Sequence, residues 1–156
     1  MQETSGIASG NLESKSLQRP DSHGEKIHRN ERLEHVVAGR RMTVAKDEFH
    51  EAMIRGPQQL RALGYSPTRF IQMVAEFGGV DAAHALLKGP EVSDGFSQLW
   101  EMNRLDMSVE AKVLFPWFEE LFTNEELRNA RRKLEAHRFD VESYLANARL
   151  SPPDWA

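Results

Sequence analysis

From Met42 onward apolar residues recur at three- and four-residue steps, the spacing that puts them on one face of a helix. Val44, Phe49, Met53 and Ile54 form the first such face, and Gly56-Pro57 predicts its end. A short helix through Leu60 and Leu63 is expected to close at Gly64. Ser66-Pro67 reads as the next start, with Ser as N-cap and Pro in the first turn, where its missing N–H costs nothing. Phe70, Ile71, Val74 and Phe77 make its buried stripe up to Gly78-Gly79. Val80 to Lys88 follows, with Ala83, Leu86 and Leu87 inward, and stops at Gly89-Pro90.

Ser93-Asp94-Gly95 opens a helix carrying Phe96, Leu99, Trp100, Met102 and Leu105 toward the core. Ser108 caps the next, with Val109, Val113 and Leu114 inward as far as Pro116. Trp117, Phe118, Leu121 and Phe122 add one apolar turn. Thr123-Asn124-Glu125-Glu126 is a capping box, and it is expected to open the longest helix, ending near Arg138, with Leu127, Ala130, Leu134 and His137 inward. A weaker helix runs from Val141 to Leu150. No segment alternates apolar and polar as a half-buried strand would. The expected fold is therefore all-α, an orthogonal array of about six to eight short helices.

Residues 1–30 hold only Ile7, Leu12, Leu17 and Ile27 as sizeable apolar groups. Ordering a backbone costs about 1–2 kcal/mol per residue, so this stretch is expected to be disordered, with a weak helix from Asn30 to Ala38 stopped by Gly39. The expected organisation is an N-terminal arm over residues 1–41, a helical domain over 42–150 and a tail over 151–156. Met42 is a plausible alternative start, with the arm either regulatory or the product of an upstream start.

Composition narrows the chemistry. With no cysteine in 156 residues, disulfides, thiolate catalysis and cysteine-based zinc sites are excluded. There is no run of 18 apolar residues and no basic-then-apolar leader, so a cytoplasmic protein without a membrane partner is expected. A net charge of −4 argues against coating nucleic acid non-specifically. The charge is unevenly placed: residues 1–41 carry seven Lys/Arg against six Asp/Glu, and residues 42–140 carry twelve against sixteen.

Five blocks carry a resemblance: residues 63–70 (Leu-Gly-Tyr-Ser-Pro-Thr-Arg-Phe), 76–83 (Glu-Phe-Gly-Gly-Val-Asp-Ala-Ala), 93–101 (Ser-Asp-Gly-Phe-Ser-Gln-Leu-Trp-Glu), 104–111 (Arg-Leu-Asp-Met-Ser-Val-Glu-Ala) and 121–127 (Leu-Phe-Thr-Asn-Glu-Glu-Leu). In this order they resemble an uncharacterised all-helical domain of bacterial hypothetical proteins, found alone or at the end of longer chains, some of them HNH-type nucleases. The resemblance covers roughly residues 55–140. It implies a nucleic-acid-processing or defence context, although this chain carries no HNH-like residues itself.

Each candidate site has a plainer reading beside it. His23, His28 and His35 lack zinc spacing and suit a solvated arm. His50 with Asp47 and His84 with Asp81 could orient an imidazole, but pairs three residues apart are usually surface contacts. Asp106 and Glu110 could act as paired carboxylates, yet helix capping explains both; the same holds for Glu119-Glu120 and Glu125-Glu126. Gly78-Gly79 and Ser93-Asp94-Gly95 match no phosphate-loop fingerprint and read as helix stops and caps. Arg128, Arg131, Arg132 and Lys133 form the one basic cluster, able to meet phosphates or simply to complement a helix dipole. Phe115-Pro116-Trp117-Phe118 is more apolar surface than one helix face can bury.

The reading that follows is a non-enzymatic helical protein-interaction module, acting through Phe115, Trp117 and Phe118, with no cofactor or metal. The alternative is a nucleic-acid-binding accessory protein using Arg128, Arg131, Arg132 and Lys133. A small enzyme built on His84 with Asp81, or on Asp106 with Glu110, stands third and would need a pocket lined by those groups.

Overall fold

The structure, a computed structural model, describes the backbone from residue 20 and side chains from residue 31 to the C-terminus. The disorder expected over residues 1–30 thus falls, up to residue 19, outside the described residues, as do the side chains of His23 and His28. The chain divides into two units, Met1–Arg40 and Arg41–Ala156. In the first, Leu33, Val36 and Val37 are all exposed.

Seven α-helices and two short 3-10 turns make up the described chain, and no strand occurs among the described residues. They are α1 (Pro20–Ala62), α2 (Thr68–Phe77), α3 (Gly79–Leu87), α4 (Asp94–Glu101), α5 (Val109–Val113), α6 (Asn124–Ala136) and α7 (Val141–Arg149). The all-α, multi-helical class read from the periodicity is the one observed.

α1 is the largest departure. It passes through Gly39 and through Gly56-Pro57, which were expected to stop it, and at 43 residues it replaces α6 as the longest helix. An interior proline costs a helix about 3 kcal/mol. Here the ring is itself buried, and Ala45, Phe49, Met53, Pro57 and Leu60 form one continuous buried row at helical spacing. Packing of that row outweighs the local penalty.

Phe49 is fully buried, with the rings of Phe118 and Phe122 edge-on at 5.1 and 5.2 Å. α2 packs on α3, α3 on α5 and α6, and α6 on α5 and α7. Ser93, Ser108 and Thr123 cap their helices as expected, with side chains accepting from the N–H groups of Phe96, Ala111 and Glu126. Ser66 does not: its side chain makes no cap, and Pro67 takes the N-cap position of α2. Phe77 and Trp100, expected inside, are 56% and 52% exposed. Phe77 is the last residue of α2, and Trp100 lies against the His137 ring at the surface. Nor is the tail idle, since Trp155 packs on Phe118 at 5.8 Å.

α6 ends in a left-handed turn. Arg138 has φ +62°, while Phe139 N–H donates to Leu134 and Arg138 N–H to Glu135. That is a Schellman closure, normally built on glycine. Arg138→Gly relieves a Cβ clash of about 1 kcal/mol, so it is expected to raise the urea midpoint, and an unchanged or lower midpoint would contradict this.

Candidate functional site

The residues expected to form sites are partly absorbed by the core. Phe118 is 5% exposed, and Phe115 and Trp117 are half-buried, stacked on each other at 4.9 Å. Phe115 stacks in turn on Tyr144 at 5.1 Å. The ridge is a ladder of rings joined to α7.

The basic cluster is divided in the same way. Lys133 is 5% exposed, and its ammonium donates to the Leu86 carbonyl at 3.1 Å. One turn earlier, Asn129 donates to Leu87 at 3.2 Å. Together they satisfy carbonyls at the C-terminal end of α3, where a cation also complements the helix dipole. Arg131 pairs with Glu142 at 2.8 Å. Of the four, Arg128 and Arg132 remain exposed and make no ion pair among the described residues, and two cations make a small footprint for phosphate contacts.

His84 pairs not with Asp81 but with Glu126, Nδ1 to Oε1 at 2.6 Å. The other Glu126 oxygen accepts from Thr123 N–H, closing the capping box. Burial works to raise the Glu126 carboxyl, but the Thr123 N–H and the His84 ring outweigh it and hold it below its ordinary value. The dyad pins α3 to α6. His50 also turns away from its sequence neighbour Asp47, and its Nδ1 accepts from Gly79 N–H at 2.9 Å.

Asp106 and Glu110 separate as well. Asp106 holds Arg104 in a two-pronged contact at 3.0 and 3.2 Å. Glu110 is only 3% exposed and stands in the first turn of α5, as expected, just after the Ser108 cap. Its carboxyl accepts from its own N–H and feels the charge of Lys133, but makes no ion pair among the described residues. Burial pushes the group up to about 7, against the pull of Lys133 and that N–H. A carboxyl at that value changes charge near neutrality, the behaviour often found in binding and catalytic sites.

Glu110 also lines a cavity of the second unit, about 550 Å³. Its apolar wall comes from Met53 and Leu60 of α1, Phe70 and Met73 of α2, and Phe96 and Leu99 of α4. Its polar groups include Tyr65, Arg69, Ser93, Asp94, Ser108, Lys112 and Glu110. The hydroxyls of Ser93 and Ser108 already accept from helix N–H groups. Burial, and then Asp94, raise the Tyr65 hydroxyl, keeping it a neutral donor. Lys112 sits 5.4 Å over the Phe115 ring, and burial lowers its pKa. A mostly apolar space of this size with a few polar groups has the build of a small-molecule site.

The cavity was missed in the sequence because its walls come from four separate stretches. One local signal existed: Glu110 lies three and four residues before Val113 and Leu114, and so on their buried face. No family model matches the chain, and no curated protein or solved structure matches it. Among the described residues no three acidic or histidine side chains converge as a metal site, and no helix is long and apolar enough to cross a membrane.

Proposed function

We propose that Arg41–Ala156 is a non-enzymatic helical binding module whose site is the cavity beside Glu110. The cavity itself carries the reading: about 550 Å³ of mostly apolar space, walled by α1, α2 and α4, with a buried carboxyl in its lining. Turnover is disfavoured because the lining serines at 93 and 108 are both engaged as helix caps, and Asp106, the other half of the expected carboxylate pair, is held by Arg104. This reading replaces the protein-interaction module expected at Phe115, Trp117 and Phe118, where Phe118 is buried and Phe115 and Trp117 stack on each other. Resemblance to domains attached to HNH-type chains adds a context, in which such a module accompanies a nucleic-acid-processing or defence enzyme.

The test is titration with Nile red, a neutral dye that brightens in apolar surroundings. Saturable binding is expected to the native protein. Met73→Trp, which fills the cavity from its wall, is expected to weaken it by about tenfold or more, about 1.4 kcal/mol. Absent saturation, or equal binding by the folded variant, would remove the cavity as the site.

A further inference from the structure

The one buried acid of the cavity wall gives the ligand its chemistry. Glu110 is buried with no cation in ion-pair contact among the described residues. The nearby cations have other work. Lys133, reaching over from α6, donates to the Leu86 carbonyl. Lys112 lies over the Phe115 ring and feels the charge of Asp106, while Arg69 is exposed at the rim. The second acid of the lining, Asp94, is exposed at the start of α4. Of the charged groups lining the cavity, Glu110 is the most deeply buried, and its carboxyl has no ion-pair partner among the described residues.

We infer that the cavity takes a small amphiphilic cation, an amine whose apolar body packs among Met53, Met73 and Phe96 and whose protonated nitrogen meets the Glu110 carboxylate. This rests on the cavity being the binding site. A carboxylate or phosphate ligand would face Glu110 as a like charge, and a neutral one would bring it no opposite charge. An ammonium supplies both an opposite charge and a donor, and hydrogen bonds between ionised partners are the strong ones. Size selects a whole small molecule over one side chain of a protein, since about 550 Å³ falls in the range that small ligands fill. Three methionines in the wall, Met53, Met73 and Met107, adapt to the shape of an alkyl or aryl body.

Three probes of one length separate head group from tail: n-octylamine, n-octanol and n-octanoate, each titrated calorimetrically into the intact protein at pH 8. The amine is expected to bind about tenfold or more tighter than the alcohol, and octanoate more weakly than either. Glu110→Gln, checked for native unfolding, is expected to bring the amine down to the alcohol. The native protein provides the same test without a variant. Lowering the pH from 8 to 5.5 protonates Glu110 while the amine keeps its charge, and the preference for the amine is expected to vanish.

Equal affinity for amine and alcohol at pH 8 would overturn the cationic ligand and leave the cavity reading standing. Failure of all three probes to bind would overturn both. An amine preference that survives both Glu110→Gln and low pH would place the cation elsewhere and overturn the role given to Glu110.

Discussion

Glu110→Gln is expected to make the protein more stable at pH 8 and to leave it nearly unchanged at pH 5. The folded chain holds this carboxyl at about 7 against an ordinary value of 4.5. Between those values the folded state binds more protons than the unfolded state, so stability falls as pH rises. The contribution is fully present below 4.5 and is lost by the time pH has passed through 7. Converted at 1.36 kcal/mol per pH unit, the loss is about 3 kcal/mol, a large share of the stability of a small domain. Gln keeps the shape without the charge and so removes the slope.

Urea unfolding of both proteins at pH 5, 6.5 and 8 measures this directly. The two carboxyls held below their ordinary values, Glu126 and Asp140, act in the opposite sense and only in more acidic solution. They lie outside the window from 5 to 8, and any group common to both proteins cancels in the comparison. Parallel pH profiles would show that Glu110 is solvated or fully compensated by Lys133, and the proposed ligand would lose its counter-charge. A slope present in the native protein and absent in the variant would mean that the fold tolerates a strained acid, which a cationic ligand could relieve.

Helix content was legible because it depends on local rules. The serines at 93 and 108 and the Thr123–Glu126 box all cap as expected, since a cap needs only the residues within one turn. The same rules failed at Gly56-Pro57, where a local stop competes with a long buried row on α1 whose partners, such as Phe118 and Phe122, lie some seventy residues away. The site followed the same division. That Glu110 shares a face with Val113 and Leu114 could be read from spacing, but its lack of a paired cation could not. That depends on Lys133 reaching the end of α3 rather than solvent. His84 illustrates the limit most directly: its nearest acid in sequence is Asp81, and its partner in space is Glu126, forty-two residues on.

Gly79→Ala is the second large effect, because this glycine sets the distance between α1 and α3. A Cβ built there would stand 2.8 Å from the His50 Cα and 3.1 Å from Met53 Cγ. The methionine can move aside, but the His50 Cα belongs to a helix backbone and cannot move without taking α1 with it. Separating the helices would also stretch the 2.9 Å bond from Gly79 N–H to His50 Nδ1. Overpacking of this kind costs about 1–3 kcal/mol, and the better helix propensity of alanine returns less than about 1 kcal/mol. A net loss of about 2 kcal/mol is expected in urea unfolding. Gly56→Ala is the matched control: it lies inside α1, its Cβ would meet nothing within 4 Å, and it is expected to stabilise by about 0.5–1 kcal/mol. Opposite signs for the two variants would establish Gly79 as a contact point rather than a helix stop. The consequence reaches the cavity, because Met53 both touches the Gly79 position and lines the ligand space. A Gly79→Ala protein that folds should therefore bind Nile red more weakly than the native chain, and unchanged stability with unchanged binding would show that α1 and α3 have more room than the 2.8 Å approach allows.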